Sequence, residues 1–256
     1  MKIYKYRNFS QYSIDSLKSS NLYFSNPFDY NDAFEFTFDE SDNQLIEKWK
    51  SKFKDNSEKS HFALASFEIE FKNRKNPDYD RVLCFSETYN NPLMWAHYSD
   101  SGKGFCLEFE TETEKSLEWI GFKIKNFKDA FFNLKSREKT SYNEEGIYLL
   151  PLFKVKYMKR PPKFIDKLEE GYFKYAKDII WSYEKEWRIV VTKDLLKTQI
   201  LEYEKKYLKS IIFGLNTSDE NVKMVKEIVN NNYSNPIKFF KIIKVDGTYL
   251  VDKVEI

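Results

Sequence analysis

The sequence predicts an α+β fold: one domain over residues 1–256, built on a mixed, mostly antiparallel central sheet flanked by helices. Three observations lead there. Short runs such as KIYKYR (2–7) and LFKVKYM (152–158) alternate apolar and polar residues, the period of a strand with two unlike faces. A few capped segments place apolar residues at helical spacing, but they do not alternate regularly with the strands, so no parallel βαβ array is indicated. No internal repeat, low-complexity tract or Gly/Ser linker divides the chain.

The elements follow in order. KIYKYR is a strand with Tyr4 and Tyr6 on one face and Lys5 and Arg7 on the other. Residues 10–20 form a helix capped by Ser10, with Tyr12, Ile14 and Leu17 as its apolar positions. Residues 21–27 are a short strand stopped by Pro27, and 41–56 a helix with Leu45, Ile46, Trp49 and Phe53 on one face. RVLCFSE (81–87) and GFCLEFE (104–110) are core strands, and Pro92 opens a short helix between them. The charged, poorly periodic stretch from 111 onward is a helical insertion reaching to about 180, with one helix near 127–137 and another over 161–181. Strands follow at 184–192 and 208–214, then a capped helix at 218–232. Two final strands, 237–245 and 249–256, are joined by Asp246-Gly247-Thr248, a good hairpin turn.

Composition narrows the function classes. Net charge is +2, from 42 basic and 40 acidic residues, so no global field favours nucleic acid and a local patch would be needed. Cys84 and Cys106 have neither metal-ligand nor disulfide-framework spacing, and two buried thiols in a reducing cytoplasm are expected, with no metal site. No apolar run follows the first lysine as in a signal peptide, and none is long enough to span a bilayer, so a cytoplasmic protein with no membrane partner is expected.

Chemistry concentrates in three places. In EKEWRIVV, strand geometry points Glu184, Glu186, Arg188 and Val190 one way and Lys185, Trp187, Ile189 and Val191 the other. The first face is either a solvated ladder of charges or a paired-acid site able to stabilise an oxocarbenium-like transition state. NPLMWAHYSDSGKGFCLEFE (91–110) crowds scarce residues together. His97 and Tyr98 are placed facing a cleft, Met94 and Trp95 as anchors, and Gly102-Lys103-Gly104 as a tight turn whose amides suit a phosphate. His97 is either a packed structural histidine or an acid–base group. SNPFDYNDAFEF (25–36) is a loop in which Asn31 and Asp32 make a turn, and Glu35 lies either on a rim or buried at a site.

Together, YKYR, LYFSNPFDYNDAFEF, LCFSE, NPLMWAHYSDSGKGFCLEF, WSYEKEWRIV and IIFGLN resemble the bacterial family of domain of unknown function 2971. Ala33 stands where that family tends to have Pro, and Gly102 where it often has His. A weaker likeness links the late E-x-E strand to ADP-ribosyltransferases. Members of the unknown-function family resemble defence or toxin-type accessory proteins, which implies a bacterial defence or toxin–antitoxin effector with a protein partner in such a system, while the ADP-ribosyltransferase likeness implies NAD as substrate. Glu186 would then stabilise the ribosyl cation and Glu184 take a proton from the acceptor. Arg7 would meet the pyrophosphate, and Tyr6 or Trp95 would stack on a ring. Asn31, Asp32, Tyr98 and Arg188 would complete the nucleotide site. Two alternatives stay open: a nucleic-acid-processing enzyme using His97, and a non-catalytic binding or sensor module.

Overall fold

The computed structural model describes residues 1–37, 51, 78, 80–124, 146–162, 172–193, 196 and 198–256. The helices expected at 41–56 and 127–137 lie outside these, apart from Ser51. A twelve-stranded sheet organises the rest. Its strands are β1 (Lys2–Arg7), β2 (Asn21–Tyr23), β3 (Asp80–Ser86), β4 (Phe105–Glu110), β5 (Glu112–Glu114), β6 (Leu117–Lys123) and β7 (Ile147–Lys154). With them go β10 (Glu186–Thr192), β11 (Ile200–Tyr203), β12 (Leu208–Phe213), β13 (Lys238–Lys244) and β14 (Val251–Glu255). The order is β14-β13-β12-β4-β1-β3-β10-β7-β6-β11-β2, with β5 on β6. Among the described strands of this sheet only β12 and β13 pair in parallel, so the fold is α+β with a mixed, mostly antiparallel sheet. Two short strands, β8 (Lys156–Met158) and β9 (Ala176–Asp178), pair in parallel outside it.

Among the described residues the complete α-helices are α1 (Gln11–Lys18), α2 (Pro92–Tyr98) and α3 (Asp219–Asn232). Local sequence explains each start. Ser10 and Ser218 accept backbone N–H groups of the first turns of α1 and α3, while Asn91 caps α2 and Pro92 fills its first position. Helix α3 supplies the crossover between β12 and β13 that parallel pairing requires.

One half of the sheet curls on itself. Beyond β2, Ser25 bridges Val82 of β3 through two backbone hydrogen bonds of 2.8 and 2.9 Å, closing β3-β10-β7-β6-β11-β2 into a ring. Leu22, Phe24, Leu83, Ile120, Phe122, Leu150 and Ile189 from these strands join one core, which α1 and α3 extend. The opposite face of β1 and β4 carries a second cluster, in which Tyr4, Tyr6 and Cys106 pack against Met94 and Trp95 of α2.

Two expectations fail. The described residues between 111 and 180 form strands where a helical insertion was expected: they include β5, β6 and β7, and β6 lies between β7 and β11 in the sheet. Likewise the described end of the expected 161–181 helix holds a 3-10 turn (Tyr172–Tyr175), strand β9 and a longer 3-10 segment (Ile179–Glu184). Apolar residues there matched a helical period, but pairing with β8 decided the backbone. Strand β11 was not anticipated.

Candidate functional site

Strands β1 and β3 share a single registered pair, Tyr4 with Ser86, and then splay. Lys5 reaches across, its ammonium donating to the Cys84 carbonyl at 2.8 Å. Above this gap lies a cavity of about 270 Å³. Its floor is the face of β1, β3 and β10 that points away from the ring core. Its walls come from the loop 25–37, α2 and the segment 177–184.

Cross-strand register builds the floor. Ser86 stands opposite both Tyr4 and Glu186, so these three form a row across β1, β3 and β10; Cys84 lies opposite Arg188 in the next. Arg188 is fully buried. It grips Glu186 through Nε–Oε1 at 2.7 Å and Nη2–Oε2 at 3.0 Å, and Nη2 also donates to Glu35 Oε1 at 2.8 Å. Nη1 donates to the Lys174 carbonyl. A buried guanidinium requires such compensation.

Glu184 reaches the cluster by another route. It ends the 3-10 segment rather than lying on the strand, and Lys185, at φ 45°, turns the chain in the left-handed region before β10 begins. Both carboxylates converge on Lys177 of β9: its Nζ lies 2.7 Å from Glu184, 3.3 Å from Glu186 and 3.0 Å from Glu35. The small β8–β9 sheet delivers this ammonium, since Tyr157 is registered with Lys177 and its hydroxyl accepts the Glu186 N–H at 2.8 Å. Tyr98 of α2 donates to Glu184 Oε1, and the Ser86 hydroxyl to the Glu184 carbonyl. Lys177 Nζ also sits 4.9 Å from the centre of the Trp181 ring.

The two carboxylates are driven apart electrostatically. Burial raises the Glu184 pKa, and Glu186 nearby adds to it against the opposing pull of Lys177. Burial also opposes charge on Glu186, but Arg188 and Lys177 outweigh it and hold this carboxyl well below the usual range. Lys177 is buried too, yet Glu186, Glu35 and Glu184 keep its pKa well above that of an ordinary lysine. Burial, with Arg7 nearby, pushes Lys5 down to about 8. The Cys84 thiol is pushed up to about 12 by burial and the Glu186 charge, with Arg188 and Lys5 opposing.

Among the residues singled out from the sequence, Tyr6, Asn31, Asp32, Tyr98, Glu184 and Glu186 line this cavity. Arg188 lies beneath the carboxylates with its donors committed, and so braces the site instead of offering a free cation to a nucleotide. Three residues lie elsewhere. His97 is exposed on the outer side of α2, its ring 6.2 Å from that of Tyr183. One residue of helical rotation separates it from Tyr98, which does face the carboxylates. Trp95 is a buried anchor: its indole N–H donates to the Tyr89 carbonyl and its ring meets Tyr6 edge-on at 5.0 Å. Arg7 belongs to the opposite strand face, towards Tyr12 and Tyr203, where no pyrophosphate bound in the cavity can meet it.

The 99–104 turn is also structural. The amides of Gly102, Lys103 and Gly104 donate to the carbonyls of Trp95, Asp100 and Ser99, leaving none for a phosphate. Gly104 is required there because a Cβ would lie 2.0 Å from the Arg7 carbonyl oxygen. Lys177 escaped the sequence reading because it was assigned to a helix. Its three carboxylate partners come from segments that no local pattern connects to it. Cys84 and Cys106 are free thiols. Among the described residues no cluster has metal-ligating composition, and no helix is long and apolar enough to cross a membrane.

Residues 94–189 match the family model described as protein of unknown function (DUF2971). Over that span the chain is similar to this family. The match supports the resemblance drawn from the sequence, and it includes Tyr98, Lys177, Glu184, Glu186 and Arg188. No curated protein and no solved structure gives a match.

Proposed function

We propose that the cavity carries out chemistry at an N-ribosyl bond, as an ADP-ribosyltransferase-like or NAD-cleaving enzyme with NAD as substrate. One observation supports this most: two carboxylates share a single ammonium, while burial raises the pKa of Glu184, and Arg188 and Lys177 lower that of Glu186. Paired groups with diverging pKa values divide into an acid–base partner and an electrostatic stabiliser. Glu184, beside Tyr98 at the cavity wall, is the group that exchanges a proton with acceptor or water. Glu186, held by Arg188, opposes positive charge as the ribosyl centre becomes cationic. Loss of NAD by such an activity would suit an effector in bacterial defence or a toxin–antitoxin pair.

The test is nicotinamide release from NAD by the parent and Glu184→Gln. This variant keeps the shape and a hydrogen-bonding group at Glu184, so the melting temperature is expected to move little. Turnover is expected to fall on the order of 10²-fold or more, as for loss of a general acid–base group. No nicotinamide release by the parent, or full release by the variant, removes the proposal. A non-catalytic binding module is the second reading, favoured by the complete pairing of Glu186 with Arg188; it predicts binding without release. The nucleic-acid reading loses its acid–base group, because His97 lies outside the cavity, and Lys103 is exposed beside Asp100.

A further inference from the structure

One oxygen in this cluster has no partner. Glu35 is only 8% exposed, and its Oε1 is held by Arg188 and Lys177 at 2.8 and 3.0 Å. Its Oε2 is buried with no hydrogen-bond partner among the described residues. A buried acceptor left unpaired costs roughly 1–3 kcal/mol, and more when charged. Glu35 lines the cavity, so the donor that Oε2 lacks among the described residues can come from a bound ligand.

The charge of the lining indicates which ligand. Five carboxylates, those of Asp29, Asp32, Glu35, Glu184 and Glu186, line the cavity against two lining ammoniums, Lys5 and Lys177, and the Arg188 guanidinium beneath Glu35 and Glu186. Lys177 is committed to three of the carboxylates and Lys5 to the Cys84 carbonyl. No described lining cation is left over for a phosphate. Tyr30, Tyr98 and Trp181 also line the walls, and excess acid beside aromatic rings attracts an organic cation. A volume of about 270 Å³ is also small for a whole dinucleotide, since pockets for drug-sized ligands span roughly 300–1,000 Å³.

We infer that the cavity takes the phosphate-free, positively charged N-riboside end of its substrate, with Glu35 Oε2 accepting a hydroxyl or amide donor and any phosphate left outside. This rests on the N-ribosyl reading above and narrows it. The test is calorimetric titration of the protein with four compounds. Nicotinamide riboside carries the cationic ring alone; nicotinamide mononucleotide and NAD add phosphate; nicotinic acid riboside offsets the ring charge with a carboxylate. The cationic riboside is expected to bind at least as tightly as the two phosphate-bearing compounds, and the acid analogue at least about tenfold more weakly, or 1.4 kcal/mol. Phosphate-bearing compounds binding tenfold tighter, or the acid analogue binding equally well, overturn the inference; N-ribosyl chemistry then still stands if NAD is cleaved. No binding of all four, with no nicotinamide released from NAD, removes both. Glu35→Gln, checked by its melting temperature, is expected to weaken nicotinamide riboside about tenfold. Unchanged affinity in the folded variant overturns the role of Glu35, and if the variant does not fold, the four-ligand series on the parent decides.

Discussion

Glu186 gives both carboxylate oxygens to Arg188, and that geometry sets what its loss costs. Glu186→Gln keeps the shape but leaves a fully buried guanidinium and a buried ammonium short of negative charge. Breaking a buried pair from one side typically costs about 3–5 kcal/mol, so denaturant unfolding should show a large loss for Glu186→Gln and a small one for Glu184→Gln. The pH dependence carries the same signature. The folded-state pKa of Glu186 lies below its ordinary value of 4.5. Its contribution is therefore present above pH 4.5 and is lost as pH falls towards the folded-state value. Stability measured between pH 5 and pH 2 should decline less steeply in Glu186→Gln than in the parent; equal slopes would mean that Glu186 is not held ionised by its neighbours. The carboxylate pair was visible in the sequence as E-x-E. Its burial was not, because alternation shows which residues share a strand face but not what covers that face.

Element by element, α2 and the turn after it show how the crowded stretch at 91–110 works. Asn91 both caps the helix and ties it, through its side-chain amide, to the Tyr183 carbonyl at 3.0 Å. Met94 and Trp95 bury against β1 and β4, which directs Tyr98 to Glu184. The left-handed residues Asp100, Ser101 and Gly102 then bring the chain into β4 so closely that Gly104 presses on Arg7. Both contacting groups are backbone, so neither can rotate away. Gly104→Ala is expected to destabilise by roughly 1–3 kcal/mol, as overpacking does, and a chemical denaturation midpoint equal to that of the parent would count against this tight approach. The anchoring roles of Met94 and Trp95 could be read from helical spacing. The placement of His97 could not, because on a short helix a rotation of one position separates a cavity wall from solvent.

For the molecule as a whole, ring closure decides where the site lies. The Ser25–Val82 bridge closes the curled half of the sheet, and Phe24, fully buried, packs edge-on against Phe122 at 5.5 Å across the ring. The same closure draws the 26–37 loop over the outer face of β3 and β10, carrying Glu35 to Arg188. Phe24→Ala should therefore cost about 3–5 kcal/mol, as truncation of a core aromatic does. It should also loosen the cavity, reported by faster hydrogen exchange in residues 25–37. A Phe24→Ala protein with parental stability and exchange would show that closure does not depend on this contact.

By itself the sequence determined the α+β class, most of the strands, the three described helices, and the placing of Glu186 beside Arg188 on one strand face. These are local properties: period, capping chemistry and turn residues lie within a few positions of one another. Tertiary structure alone decided that the acidic face is buried, that Lys177 and Glu35 complete it, and that Arg7, Trp95 and His97 stand apart from the cavity. Arg188 and Glu35 are 153 residues apart in the chain. Only the curling of the sheet brings them within hydrogen-bond distance, where low polarity makes mutual pairing the condition for burying either charge.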